Sequence, residues 1–182
     1  MFAGIVAALG LIPPITVPVI AVPITAQTLG VMLAGAVLGA WRGFFALLLF
    51  VVLVAVGLPL LAGGRGGLAV FASPTVGFLI GFPFAAFVTG WLTERFTRRA
   101  GRYRLGWGIV AALAGGVAVE YVFGVAGFVA VTGLSPWPVI VFVPGDVVKA
   151  VLAALVARGV HAAYPGLLGE RPAERSASPA PA

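Results

Sequence analysis

The sequence has no cysteine, only one histidine, and few charged residues of either sign. Without cysteine there are no disulfide bonds and no thiolate metal sites, and His161 alone cannot build a histidine metal cluster. Only 9% of the 182 residues are charged, against about 25% in soluble domains. A soluble domain of this size could not hide the 62% of residues that are hydrophobic. The composition therefore predicts a membrane protein with little mass outside the lipid bilayer.

The net charge is +6, from eleven basic and five acidic residues. The basic residues lie between apolar runs and do not collect on one polar face. This distribution argues against a nucleic-acid-binding protein, in which a basic patch or stripe is expected.

Glycine, proline and charged residues divide the chain into six apolar runs, so we predict an all-α protein with six transmembrane helices. The segment 15–25 carries Pro18 and Pro23 and is expected to be a loop folded against a binding site. Residues 1–164 are expected to form one membrane domain, and residues 165–182 a disordered cytoplasmic tail. The expected spans are 1–12, 27–40, 44–61, 75–92, 105–131 and 139–161.

The placement of arginine predicts the orientation, because loops on the cytoplasmic side of membrane proteins are rich in positive charge. With both termini in the cytoplasm, nine of the eleven basic residues fall on the cytoplasmic side, five of them in the charged loop 93–104. The two exceptions are Arg65, in an outer loop, and Lys149, within the last span. Basic residues in such positions mark candidate functional sites.

Three ionisable residues fall at membrane depth, namely Glu120, Asp146 and Lys149. Each charge placed there costs about 2.5–3.5 kcal/mol. A spacing of three puts Asp146 and Lys149 on one helix face, with Pro144 in the first helical turn. Two interpretations are open: an ion pair that only orients the helix, or a polar clamp that faces a ligand cavity. Glu120 is open in the same way, as a ligand group or as a partner of a neighbouring helix.

A glycine-rich stretch, AGGRGG at 62–67, separates the third and fourth predicted spans. Glycine lets the backbone approach a ligand closely and adopt positive φ angles. The stretch lacks the lysine and the Ser/Thr of a phosphate-binding P-loop, which argues against nucleotide binding. It is either a flexible connector or a lid whose Arg65 closes over a substrate.

Four stretches together resemble the BioY family, the biotin-binding S subunits of energy-coupling-factor transporters. They follow one another in the family's order and extend over most of the membrane region. This chain has Phe78 where the family motif usually ends in tyrosine, so that hydroxyl is missing. The stretches are VPITAQTLG at 22–30, GLP to AGGRGG at 57–67, PT with a following glycine at 74–77, and FVPGDVVK at 142–149.

The resemblance implies the six-helix S-subunit fold and high-affinity binding of biotin near the outer surface of the bacterial cytoplasmic (inner) membrane, with neither a cofactor nor catalysis. Biotin contacts are implied for the last motif and the glycine-rich loop, and we expect three further residues to complete the site. The expected biotin-binding residues are Asp146, Lys149, Arg65, Gly64, Gln27, Phe78 and Tyr121.

The resemblance also implies partners. Ala3 and Ala7 match the small-residue face that the family's first helix turns toward a transmembrane coupling subunit. Because the chain has no ATP-binding motif, energy for uptake would come from two cytoplasmic ATPase subunits acting with that coupling subunit.

Three alternatives stay open at this point. The chain could be an S subunit for another vitamin, or a biotin transporter that works without a coupling module. It could also be an intramembrane enzyme with Glu120 and Asp146 as an acid and base, although no nucleophile or metal motif supports that reading.

Overall fold

The computed structural model describes residues 1–14 and 25–168, and the regular elements of these residues are all helices. The proline-rich loop expected at 15–25 falls outside the described part except for its last residue, and so do residues 169–182 of the expected tail. Residues 165–168, expected to be disordered, form a turn after the last helix. The helices are α1 (Phe2–Leu9), α2 (Gln27–Leu38), α3 (Ala40–Ala55), α4 (Val76–Ala100), α5 (Leu105–Leu113), α6 (Glu120–Thr132) and α7 (Val143–Ala163).

Three shorter helical segments complete the described chain. One turn of 3-10 helix, Leu68–Ala72, precedes α4, and another, Trp137–Phe142, leads into α7. A π-helical segment, Ala114–Val119, joins α5 to α6, so that Leu105–Thr132 is one continuous helix of 28 residues. Val76–Ala100 and Val139–Ala163 each have 25 residues.

These three long helices are apolar and long enough to cross a membrane. At 1.5 Å per residue, 25 residues extend about 38 Å, which exceeds the roughly 30 Å of a hydrocarbon core. The apolar helices α2 and α3 are shorter, with 12 and 16 residues. The membrane character of the chain is therefore clear, while six spans and two cytoplasmic termini stay predictions.

The boundary between the second and third predicted spans is wrong. It was placed at 41–43, but the chain breaks at Gly39, where φ is +85°, and residues 41–43 lie inside α3. That φ angle lies in the region that favours glycine. A residue other than glycine there would also meet the Glu94 carboxylate. The end of α3 differs too, because the helix stops at Ala55 and not at residue 61.

The charged stretch 93–104 was expected to be a loop, but α4 continues through it to Ala100. Glutamate and arginine are good helix formers, and Glu94 pairs with Arg98 four residues later at 3.3 Å. Glu94 also accepts a hydrogen bond of 2.9 Å from the backbone N–H of Ala40 at the start of α3. The helix ends where Gly101 takes a φ of +67°.

Helix α4 lies at the centre and packs against α2, α3 and α6. Glycines allow the close approaches: a Cβ on Gly35 or Gly90 would meet backbone atoms across the contact of α4 with α2 and the start of α3. Gly77 and Gly127 do the same between α4 and α6. Small residues at such contacts let helices approach closely where lipid supplies no hydrophobic drive. The largest buried apolar cluster includes Val6, Val31, Leu47, Phe50, Val54, Leu79 and Phe82.

Candidate ligand-binding site

A cavity of about 70 Å³ opens where the first turns of α2, α4 and α7 meet the start of α6 and the segment 57–67 that follows α3. Its walls combine five large apolar side chains with eight polar or charged ones. Small-molecule sites pair apolar walls with polar groups that fix the orientation of the ligand. The apolar lining residues are Leu61, Phe78, Leu79, Phe82 and Phe142. The polar ones are Thr25, Gln27, Thr28, Arg65, Thr75, Glu120, Asp146 and Lys149.

One wall of the cavity is a hydrogen-bonded cluster around Asp146. Lys149 Nζ lies 2.8 Å from Asp146 Oδ1, as the three-residue spacing predicts, and donates to Thr28 Oγ1 at 3.0 Å. The Thr28 hydroxyl donates to Asp146 Oδ1 at 3.2 Å, and the Tyr121 hydroxyl donates to Oδ2 at 2.6 Å. The side chains of Asp146 and Lys149 are only 7% and 15% exposed. The ion pair is thus real, and it also faces the cavity.

The start of α7 explains why this pair lies at the cavity. The 3-10 turn Trp137–Phe142 brings the chain to Val143, where α7 begins with Pro144 in its first turn. Proline fits there because the first N–H groups of a helix have no partner within it. Asp146 follows in the same turn, where the positive end of the helix dipole stabilises a carboxylate.

Glu120 is the first residue of α6, directly after the π-helical segment, and its side chain is fully buried at the cavity. Neither carboxyl oxygen has a hydrogen-bond partner among the described residues. The idea that Glu120 bonds to a neighbouring helix therefore finds no support in this part of the chain. A buried polar group without a partner is costly, so Glu120 is the group beside the cavity for which the described residues leave a hydrogen-bond partner most clearly missing.

Gln27 borders the cavity, but its side-chain amide is engaged with the protein backbone. Its Nε2 donates to the carbonyl oxygens of Val6 at 3.2 Å and Leu60 at 3.0 Å. Its Oε1 accepts from the Ala62 N–H at 3.1 Å. The amide therefore links α1 to the segment 57–67, a role that the expected biotin contact did not include.

Gln27→Leu is expected to lower the thermal unfolding temperature clearly, because three hydrogen bonds of a buried amide, about 1 kcal/mol each, are lost and two carbonyls lose a donor. Thr93→Val is the control: Thr93 is also buried, but its hydroxyl bonds only within its own helix, to the Thr89 carbonyl. Unfolding followed in detergent should show a much larger shift for Gln27→Leu. Equal shifts in unfolding temperature for the two variants would mean that the Gln27 amide does not link α1 to the segment 57–67.

The glycine-rich loop is folded and is not a loose connector. Leu61 and Arg65 form an isolated antiparallel bridge, and Arg65 Nε donates to the Ala62 carbonyl at 3.3 Å. Gly63 and Gly64 turn the chain at φ angles of +79° and +69°. Arg65 lines the cavity, whereas Gly64 does not belong to the lining residues.

The two expected aromatic residues take different positions. Phe78 lines the cavity and meets the Tyr121 ring edge to face, with centroids 5.8 Å apart. Tyr121 is not a lining residue and acts on the cavity through its bond to Asp146.

Sequence reasoning missed Thr28, whose hydroxyl contacts both Asp146 and Lys149. A hydroxyl beside Gln27 at the start of an apolar helix was the one available signal.

Ala3 and Ala7, expected to face a coupling subunit, are half-buried against the largest apolar cluster. The exposed side of α1 is formed by Gly4, Ile5 and Ala8. The alanines therefore lie at the margin of the free face of α1, and their contact with a partner stays a prediction.

A family model described as the BioY family matches residues 1–166 of the chain. The chain belongs to the BioY family. Membership agrees with the resemblance carried by the four sequence stretches.

Named relatives point the same way. The chain is 53% identical over 171 residues to "Biotin transporter BioY" of Rhizobium etli, with 91% of each chain covered. It is 49% identical to "Biotin transporter BioY" of Rhodobacter capsulatus, over 92% of this chain and 93% of the relative. These BioY proteins are named as transporters, in keeping with the prediction of a transport protein and not an enzyme.

A solved structure has the same fold. It is the 2.1 Å crystal structure of "the S-component for biotin from an ECF-type ABC transporter", which is 28% identical in sequence and gives a TM-score of 0.83. The match covers 88% of this chain and 87% of that one. The helical architecture expected for a BioY protein is therefore confirmed at the level of the S-component fold.

Proposed function

We propose that the chain captures biotin in the cavity beside Asp146 and carries it across the bacterial cytoplasmic membrane as the S subunit of an energy-coupling-factor transporter. The observation that carries the proposal is the hydrogen-bonded cluster of Asp146, Lys149, Thr28 and Tyr121 beside a cavity with aromatic walls, in a chain of the BioY family. The names of its relatives support biotin as the ligand.

The chemistry of biotin fits the groups around this cavity. The ureido ring offers two N–H donors and a carbonyl acceptor, the thioether ring is apolar, and the side chain ends in a carboxylate. Asp146 and Glu120 supply acceptors, Lys149 and Arg65 supply cationic donors, and the phenylalanine walls cover the rings. A bound ligand that displaces water from the cavity would make each polar contact stronger than it is in solution.

Equilibrium binding of labelled biotin to the purified full-length chain tests the assignment. We expect saturable binding of one biotin per chain, and no displacement by an excess of thiamine or riboflavin. Displacement by another vitamin would assign the cavity to that vitamin, and well-folded protein without biotin binding would refute the proposal.

Energy coupling is tested separately, because the chain carries no ATP-binding motif of its own. Biotin uptake by cells is expected to require a transmembrane coupling subunit and two ATPase subunits beside this chain. Uptake that stays complete without those partners would show instead a transporter that works alone, while leaving the biotin site intact.

Glu120→Gln is expected to weaken biotin binding about tenfold without lowering the unfolding temperature of the ligand-free protein. The amide keeps the shape of the side chain but replaces one acceptor oxygen by a donor, and it removes a buried ionisable group that has no partner among the described residues. Binding titrations and thermal unfolding, measured on the same preparation, check both parts. A variant that is less stable but binds normally would make Glu120 a structural residue.

A further inference from the structure

A second hollow lies at the other end of α7 from Asp146 and is lined by three arginines. Arg102 and Arg104 come from the connection between α4 and α5, and Arg158 comes from the last turns of α7. The hollow has a volume of about 680 Å³. Arg158 follows Asp146 by twelve residues, which is about 18 Å along a helix, so this hollow is separate from the biotin cavity.

The floor of the hollow is a fixed pair of rings. Tyr103 and His161 stack with centroids 4.7 Å apart and planes at 14°. The Tyr103 hydroxyl donates to the Ala154 carbonyl at 3.2 Å, and His161 Nε2 lies 3.0 Å from the Ala36 carbonyl oxygen. Burial raises the pKa of Tyr103 to about 12, so the phenol stays neutral. These contacts hold the connection that carries Arg102 and Arg104 against α7.

The three arginines make the hollow strongly positive. All three are exposed, and no acidic side chain within residues 1–14 and 25–168 forms an ion pair with them. The two ion pairs of these residues are Glu94–Arg98 and Asp146–Lys149. A guanidinium group donates paired hydrogen bonds that match the oxygens of a phosphate, so a phosphate group is the ligand that this arrangement suits.

An apolar stripe beside the hollow favours a lipid over a soluble phosphate. Val148, Leu152 and Leu155 follow one another along α7 at helical spacing, and all three are exposed, from 46% to 58%. Leu155 lies one turn before Arg158, so the stripe leads to the hollow. The hollow itself lies where α4 and α7 end and α5 begins, the level at which lipid headgroups meet apolar spans.

We propose that Arg102, Arg104 and Arg158 bind the phosphate headgroup of an anionic membrane lipid whose acyl chains lie along the stripe of Val148, Leu152 and Leu155. The lipid would bridge the α4–α5 connection and α7. This site shares no lining residue with the biotin cavity.

Native mass spectrometry of the full-length chain, with added phosphatidylglycerol or phosphatidylcholine, measures the preference for anionic lipid. The wild-type protein is expected to retain phosphatidylglycerol at least about tenfold better, and the variant R102Q/R104Q/R158Q is expected to lose that preference. The corresponding Arg→Lys triple variant keeps the positive charge and is expected to keep most of the preference for phosphatidylglycerol. If the glutamine triple variant does not fold, Arg104→Gln and Arg158→Gln each test the site, with an expected loss of about fivefold.

The matched control removes the same charge elsewhere on the basic surface, as R42Q/R95Q/R99Q, and is expected to retain the preference. If both triple variants lose the preference for phosphatidylglycerol equally, the preference comes from diffuse surface charge and the proposal is overturned. Glycerol phosphate, a headgroup without acyl chains, is expected not to displace the lipid at equal concentration. Full displacement would assign the hollow to a soluble phosphate compound. Equal retention of both lipids by the wild-type protein would refute the proposal of an anionic-lipid site.

Discussion

Asp146→Asn is expected to raise the dissociation constant for biotin at least about a hundredfold. The carboxylate of Asp146 accepts hydrogen bonds from Lys149, Thr28 and Tyr121, and an amide cannot accept all three. The substitution also leaves the Lys149 ammonium without its counter-charge, and breaking a buried ion pair costs about 3–5 kcal/mol. Titration with labelled biotin measures the affinity, and thermal unfolding shows how much of the loss is structural.

Glu94→Gln is the matched control for Asp146→Asn, because it removes the carboxylate charge of the other ion pair and lies outside the cavity. Its amide oxygen still accepts from the Ala40 N–H, so the start of α3 is kept. Biotin affinity is expected to stay within about twofold of the wild type, as for surface ion pairs that contribute little. Similar losses in both variants would argue against a ligand site at Asp146.

Gly90→Ala is expected to destabilise the protein strongly, although alanine is the better helix former. The added Cβ would meet backbone atoms of Gly39 and Ala40, which cannot rotate away as a side chain can. Overpacking costs about 1–3 kcal/mol and occasionally more, and we expect the upper end here because all three nearest atoms belong to the backbone. The gain in helix propensity, about 1 kcal/mol, offsets only part of it. Thermal unfolding in detergent should show a clear decrease.

Gly159→Ala provides the comparison, since Gly159 also lies within a long helix but a Cβ there has no neighbour within 4 Å. The unfolding temperature of this variant is expected to be unchanged or higher. If the two alanine variants behave alike, then glycine at position 90 does not set the distance of α4 from the α2–α3 junction.

The centre of the candidate site could be predicted from sequence because charge is rare in this chain. A carboxylate and an ammonium three residues apart stand out in an apolar run, and their 2.8 Å contact confirms that they share a helix face. The partners of Asp146 on other helices could not be predicted in the same way. Thr28 is 118 positions away along the chain, and its contact arises only when α2 packs against α7.

Gln27 shows the opposite limit of sequence reasoning. Gln27 was expected to contact the ligand and does line the cavity, but the sequence does not tell that its amide also bonds to the backbone around it. The amide bonds to the backbone of Leu60 and Ala62 in the segment 57–67 and to the backbone of Val6 in α1. The helical, membrane character of the chain was predictable, whereas the helix ends were not, because Gly39 and the helix-forming charged residues after 92 decide them.

The bonds of Gln27 make two distant parts of the molecule depend on one another. The carbonyl of Val6 belongs to α1, and Leu60 and Ala62 belong to the loop that carries Arg65 over the cavity. Neither part can shift on its own without giving up hydrogen bonds to the same amide. A partner that binds one position of α1 is therefore expected to change the affinity of the cavity for its ligand, and the ligand is expected to change the affinity for that partner by the same factor.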